Sequence, residues 1–557
     1  MAKVTPTSTW VVKGFPGGLN TEYDEHLRNP NEAETTNFTF GRDGGAVVRK
    51  GLDLLSAHDS WTGGPPATNL RLASMFPFVT STGKKFLIAV GLDGKVWRTG
   101  DGPTGSLVAC NIDSSGPVQI NLGAPPIAPD GAVLDDYFVL VCEDQHSYFW
   151  DGSSTYWTEV TDHTLNDGGT SGTWEFPIAS TVCSAFGRMW AAGNDSFPSR
   201  LFWSGAVGTS KAGSADDAGP WNWPTANWVE VNPEDGGAIT KIIPFGQAII
   251  VFKTNSTYAY VGVGDPDSAR LYPLHQQVGC TLPATAATAT GRLFWCSVDG
   301  AYQYDGSGIS RIDEKVRSAL ADLADDTYAM WANAFTLDER YHLLMPSTST
   351  STNTVAHYVY DSESQRWEYH TDGGWGSATI LDQPYVTRWG GVFKMWGNDG
   401  WDDTYSAVGA AVADTVDATL KTAWLPPPEN RTGTRYRVRR MDLYLGRPTY
   451  GATGSDNQQI PCKYAVRLYT NYAETTKVIG YELNIDTIKT VAEDFVVSLP
   501  GYSALVDAFR LVIVSVPPTS SDTGTERLAV NGLAVLLSER AAKRSVGLVS
   551  GASVESS

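Results

Sequence analysis

The sequence predicts an all-β protein: a β-propeller-like platform of six to eight blades, seven fitting best, joined to a C-terminal β-sandwich-like domain. Three observations carry this. A unit of apolar strand, turn and aromatic-rich strand recurs along the chain. The composition, with 56 Gly, 24 Tyr and 19 Trp in 557 residues, suits many turns and many pleated strands. Finally, no heptad, no Gly-X-Y repeat and no run of 18 apolar residues is present, which excludes a coiled coil, collagen and a membrane-spanning helix.

Residues 1–60 read as an N-terminal clasp of turns, a short helix and a hairpin. Gly17-Gly18 and Asn29-Pro30-Asn31 are turns, and Asn31 with Glu34 predicts a capped helix over 31–37. Arg42-Asp43-Gly44-Gly45 predicts a hairpin turn into Ala46-Val47-Val48. The N-terminus lacks the apolar core and cleavage site of a secretory signal.

Residues 61–420 carry the repeat. Its units run over 84–99, 136–152, 187–205, 246–262, 291–306, 340–361 and 390–408. The anchors Lys85, Tyr137, Arg188, Ala248, Leu293, Tyr341 and Val392 are spaced about 51 residues apart, near the period of a propeller blade. Tyr148-Phe149-Trp150-Asp151, Tyr302-Gln303-Tyr304-Asp305 and Tyr358-Val359-Tyr360-Asp361 align in detail. Each is followed six residues later by a bulky side chain: Trp157, Arg311 or Trp367. They read as the outer hairpins of blades, with both faces of each small sheet covered by its neighbours.

Residues 421–540 begin at a stiff Pro426-Pro427-Pro428 break and continue as six strand patterns, which suit a sandwich. Residues 541–557 form a small polar tail.

The chemistry-bearing residues are few. Lys plus Arg is 41 and Asp plus Glu is 61, a net charge of −20, which argues against tight wrapping around nucleic acid. One basic stripe interrupts this: Arg435, Arg437 and Arg439 alternate on one predicted strand face, with Arg440 pointing the other way. They read either as a contact to DNA phosphate or an acidic subunit, or as the solvated side of an edge strand. The six cysteines have no CxxC pair and read as buried thiols in a reducing compartment. The eight histidines show no i,i+2 or i,i+4 pairing, and no HExxH, GxSxG or phosphate-loop motif occurs. Asn398 to Asp403 is rich in oxygen ligands but lacks EF-hand spacing. No catalytic residue, metal site or cofactor is therefore assigned, and the chain reads as a non-enzyme.

The stretch from Gly17 to Asp53, with Gly17, Gly18, Asn37, Arg49 and Gly51 as its marks, resembles the start of tail nozzle proteins of short-tailed bacteriophages, also called tail tubular protein B or tail hub proteins. Val251-Phe252-Lys253, Tyr258 to Gly262, Gln277 to Cys280 and Ser297 to Gly306 are also similar to such proteins. The resemblance extends to about residue 420. It implies a propeller platform in a homohexameric ring below the portal and adaptor, with double-stranded DNA leaving through the axis and fibres or spikes outside. It also implies a gate on genome ejection, and a protein made in the host cytoplasm and resident in the virion tail, without a membrane anchor of its own. An acidic wall suits DNA that must slide rather than bind, though −20 equally serves plain solubility. The alternative is a propeller tail component that binds or cleaves glycans. Two convergent carboxylates would mark the cleaving form, and solvent-facing Trp the binding form. Sialidase-type Asp boxes do not recur, the nearest stretch being Ala89 to Trp97.

Overall fold

Leu72–Val79, Lys85–Gly91, Val96–Arg98 and Val108–Ala109 pair antiparallel in chain order to make one four-stranded sheet. In this computed structural model that unit recurs around an axis. The structure describes residues 7–541 apart from several stretches, the longest being 58–71, 161–175, 208–222, 426–433, 450–462, 485–494 and 517–526. Blade two runs from Asp130–Leu134 to Thr158–Val160, blade three from Thr181–Ala185 to Trp228–Glu230, and blade four from Ile239–Phe245 to Arg270–His275. Blade five runs from Ala287–Ala289 to Ile309–Arg311. Blade six, Asn333–Leu337 to Arg366–Gly373, is not a separate sheet but the first four strands of a ten-stranded one. Blade seven takes Ser377–Ile380, Gln383–Arg388 and Gly391–Asn398, and its fourth strand is Gly51–Ala57 from the N-terminal segment. The fold is a β-propeller.

Closure is visible in packing. Tyr148 and Trp150 of blade two enter the core shared with blade one, while Phe149 between them enters the core shared with blade three. Alternate residues of one strand thus feed two interfaces. Further cores join blades three and four, four and five, five and six, six and seven, and seven and one. The Thr387 hydroxyl of blade seven donates to the Leu72 carbonyl of blade one at 2.6 Å. Middle strands such as Ala248–Lys253 are buried at every position, which is why they read as unbroken apolar runs.

All six C-terminal strand patterns form strands. They make a two-sheet sandwich completed from the N-terminus. Thr7–Val12 and the Phe38–Phe40/Ala46–Val48 hairpin join the sheet of Thr434–Thr449, Phe495–Pro500 and Arg527–Ala541. Glu32–Thr36 and Thr419–Thr422 link the opposite sheet to blade six. A core including Phe15, Phe38, Phe40, Met441, Leu443, Phe509 and Leu537 lies between.

Two expectations are corrected. Residues 32–36 are a strand rather than a helix, because pairing with Thr419–Thr422 outweighs a local cap signal. The predicted seventh unit was displaced: Gly391–Asn398 is the third strand of its blade, and Asp402–Tyr405 pairs with Val412–Thr415 instead of completing it. The aligned aromatic strands are the third strands of blades two, five and six and pair with the fourth, so they form the outer hairpins as expected. The 426–428 break and the 542–557 tail lie outside the described residues.

Candidate functional site

The first strands of the seven blades surround an axial cavity of about 390 Å³. Among its described lining residues the ionisable groups are Asp130 and Lys241. Asp130 Oδ2 accepts from Lys241 Nζ at 2.7 Å, the Thr181 hydroxyl at 2.7 Å and the Val182 amide at 3.1 Å, so one carboxylate ties blades two, three and four. The Thr336 hydroxyl donates to the Thr288 carbonyl at 2.7 Å, and Ser377 to Asn333 Oδ1 at 2.5 Å. These axial polar groups bind neighbouring blades to one another.

The resemblance marks at the N-terminus converge elsewhere, at the seam of propeller and sandwich. Gly18 has φ +67°, and a Cβ there would lie 2.7 Å from Arg366 Cβ, so only glycine lets its strand meet Trp367. The Gly17 carbonyl accepts from Lys315 Nζ at 2.7 Å. Asn37 is buried with φ +61°. Its Oδ1 accepts from Arg49 Nε at 2.9 Å and from the Thr371 amide at 2.8 Å. Arg49 Nη1 lies 3.6 Å from Asp372 Oδ2, both side chains being 1% exposed or less. Gly51 opens the strand that completes blade seven.

Asp372 continues into three histidines that sequence spacing did not connect. His357 Nδ1 is 2.6 Å from Asp372 Oδ1, and His357 Nε2 is 3.0 Å from His342 Nδ1. His370 lies beside them, with Nε2 3.4 Å from Glu368. They come from three adjacent strands, 13 to 15 residues apart, so only the hairpin register brings them together. Burial alone would raise the Asp372 pKa, but Arg49 and His357 outweigh it and hold the carboxyl well below the usual range. Burial pushes His342 and His357 down, with Asp372 partly offsetting it at His357.

The internal resemblance stretches form a second joint. Lys253 Nζ, wholly buried, donates to the Asn232 carbonyl at 2.8 Å, the Val231 carbonyl at 3.1 Å and Asp235. Burial would raise Asp235, but its bonds from Lys253, Ser256 and Tyr258 bring it below the usual value. A Cβ on Gly279 would sit 2.2 Å from the Lys253 carbonyl oxygen, so Gly279-Cys280 passes against this strand only as glycine.

The arginine stripe lies on the outer face of the sandwich. Arg435 pairs with Asp507 at 3.2 Å, Arg440 with Asp442 at 2.8 Å, and Arg439 Nε donates to Ser538 at 3.0 Å. Register shifts between Val438 and Arg440, so Arg439 and Arg440 are both exposed while Val438 and Met441 are buried. The expected opposite orientation of Arg440 is corrected: a β-bulge resets the alternation and exposes Arg440 along with Arg435 and Arg439, while Arg437 on the same face is half-buried.

The five described cysteines are buried and free, with burial pushing the Cys110 and Cys280 thiols up to about 12. Among the described residues no group of three or more His, Cys, Asp or Glu side chains is arranged to hold a metal ion.

No known protein family matches the chain, and no curated protein does. Among solved structures it is similar to the WD40 domain of Neurospora crassa Pan2, at 6% identity and a TM-score of 0.39, over 62% of this chain and 96% of that one. It is also similar to YCF48, solved bound to D1 peptide, at 10% identity and a TM-score of 0.35, over 59% and 96%. A third is BamB from Moraxella catarrhalis, at 10% identity and a TM-score of 0.32, over 64% and 96%.

Proposed function

We propose that this chain is a structural virion protein, a subunit of the tail nozzle ring that surrounds the DNA exit channel of a short-tailed bacteriophage and gates genome ejection. The observation that carries the reading is where the resembling residues lie. Gly18, Asn37 and Arg49 sit in the seam that welds propeller to sandwich, Lys253 in the joint of blades three and four, and Gly279 between blades four and five. These are demands of a rigid frame, not of a reaction centre. Six copies would close through a heterologous interface, leaving an axial passage. The adaptor above and the fibres or spikes outside are its partners. A net charge of −20 suits a wall past which DNA slides. The outward arginines are the candidate contact to an acidic subunit or to phosphate.

The glycan-binding alternative needs aromatic platforms in solvent. Trp97, Trp190, Trp223, Trp295, Trp367 and Trp424 are instead under 2% exposed and serve the cores, while the exposed Trp228 and Phe197 have their rings covered by the Arg200 guanidinium at 4.0 and 3.9 Å. Electron microscopy of the purified protein and of its particle tests the reading. Closed rings with an axial hole, placed at the tail, are expected. A monomer in the particle, or release of reducing ends from host surface polysaccharide, overturns it.

A further inference from the structure

We propose that the buried chain His342–His357–Asp372–Arg49 is an acid-operated latch that holds the N-terminal clasp to blade six. The geometry fixes its protons. Asp372 Oδ1 accepts from His357 Nδ1 at 2.6 Å, so His357 Nε2 is left as acceptor for the Nδ1 proton of His342 at 3.0 Å. Asp372 Oδ2 meanwhile faces Arg49, whose Nε donates to Asn37. Two connecting segments of the clasp, at Asn37 and Arg49, are thereby tied to three strands of the blade through one carboxylate.

The groups facing the imidazoles come from every element around them. Arg340 lies on the strand of His342; Glu368, His370 and Asp372 lie on the strand beyond His357; Arg49 approaches from the clasp. Phe335 stacks on His342 with ring centroids 4.6 Å apart, and Trp396 lies 5.3 Å away, neither bearing charge. The two carboxylates are already engaged: Asp372 by Arg49 and His357, Glu368 by Arg340, His370 and the Phe40 amide. One added proton can rest on His357 if His342 changes tautomer. A second sets two N–H donors head to head in a site that holds Arg49 and Arg340 and excludes water. Relief comes by opening the seam, which hydrates the imidazoles. The direction of the histidine shifts, set by burial, accords with this.

Hydrogen exchange of the full-length protein between pH 7.5 and 5.0, corrected for the intrinsic rate, tests the latch. Peptides covering 32–57 are expected to open as pH falls below about 6.5, the opening equilibrium rising about tenfold per pH unit for each proton taken up. Peptides from blade two, such as 130–142, are expected to stay protected. His342→Asn keeps a donor near the Nδ1 position and does not titrate, so its slope should fall by about one proton. Exchange that is pH-independent, that rises equally in blade two, or that keeps the wild-type slope in His342→Asn overturns the proposal. Should that variant fail to fold, the comparison of clasp and blade-two peptides in the wild-type protein decides alone.

Discussion

Arg49 and Asp372 form an ion pair at 3.6 Å across the seam between N-terminal segment and blade six, with neither side chain more than 1% exposed. They stand 323 positions apart in the sequence (372 − 49). The pair matters because blade seven is completed by Gly51–Ala57, directly after Arg49. Whatever anchors Arg49 also anchors the strand that shuts the propeller.

Removing one partner leaves the other charge buried. Arg49→Met is expected to lower unfolding free energy by about 3–5 kcal/mol. Asp372→Asn should cost a similar amount, and the two together less than the sum, because they share one contact. Urea denaturation of both singles and the double mutant measures this.

Stability should fall with acid in two stages. His342 and His357 have folded pKa values below the unfolded one, so their effect is absent above about pH 6.5 and grows as the unfolded chain takes up protons below it. Asp372 and Asp235 are also depressed, so what they contribute is complete above their unfolded values near 4 and is lost as pH falls below that. Thermal melts from pH 8 to pH 3 should show a shallow decline and then a steep one. A melting temperature flat from pH 7 to pH 5 would contradict the first stage.

Gly18→Ala adds a methyl 2.7 Å from Arg366 Cβ at a residue with φ +67°. A loss of about 1–3 kcal/mol is expected, felt at the sandwich and blade six together. Alanine at Gly83, where φ is +85° but no atom lies within 4 Å, isolates the backbone part of the cost. Equal losses at both sites would remove the steric argument.

Lys253→Met deletes the cation beneath Asp235 and leaves the Asn232 and Val231 carbonyls without that donor. A cost of about 3–5 kcal/mol is expected, detected as a lowered denaturation midpoint. The change should be larger than that of Arg435→Ala, whose partner Asp507 is itself more than half exposed and whose pair contributes about 0–1 kcal/mol.

Charge reversal of the exposed Arg435, Arg439 and Arg440 to Glu leaves the sandwich core untouched, so folding should change by about 1 kcal/mol or less per site. Under the nozzle reading, ring assembly or DNA passage should suffer. Sedimentation of the variant, and genome ejection from particles carrying it, measure the two consequences. Wild-type behaviour in both assays would leave these arginines as an ordinary solvated face.

Much of the architecture was legible because blades are local. Each hairpin pairs strands a few residues apart, and each face must be apolar to meet the next blade, so the repeat of Tyr148, Tyr302 and Tyr358 recurs at blade spacing. The seventh unit, 390–408, falls out of step because Gly391–Asn398 is completed not by the strand after it but by Gly51–Ala57 from the other end of the chain, which no local pattern encodes.

The sequence by itself determined the strands, the turns that join them and the apolar faces, since these follow from side-chain period and backbone preference over a few residues. Tertiary structure alone decided which strand completes blade seven, that residues 32–36 extend rather than coil, that a bulge turns Arg440 outward, and that His342, His357 and Asp372 meet Arg49. Each of those outcomes is set by pairing partners hundreds of residues away or by one inserted residue in a ladder, and the free energy of burying them exceeds any local preference.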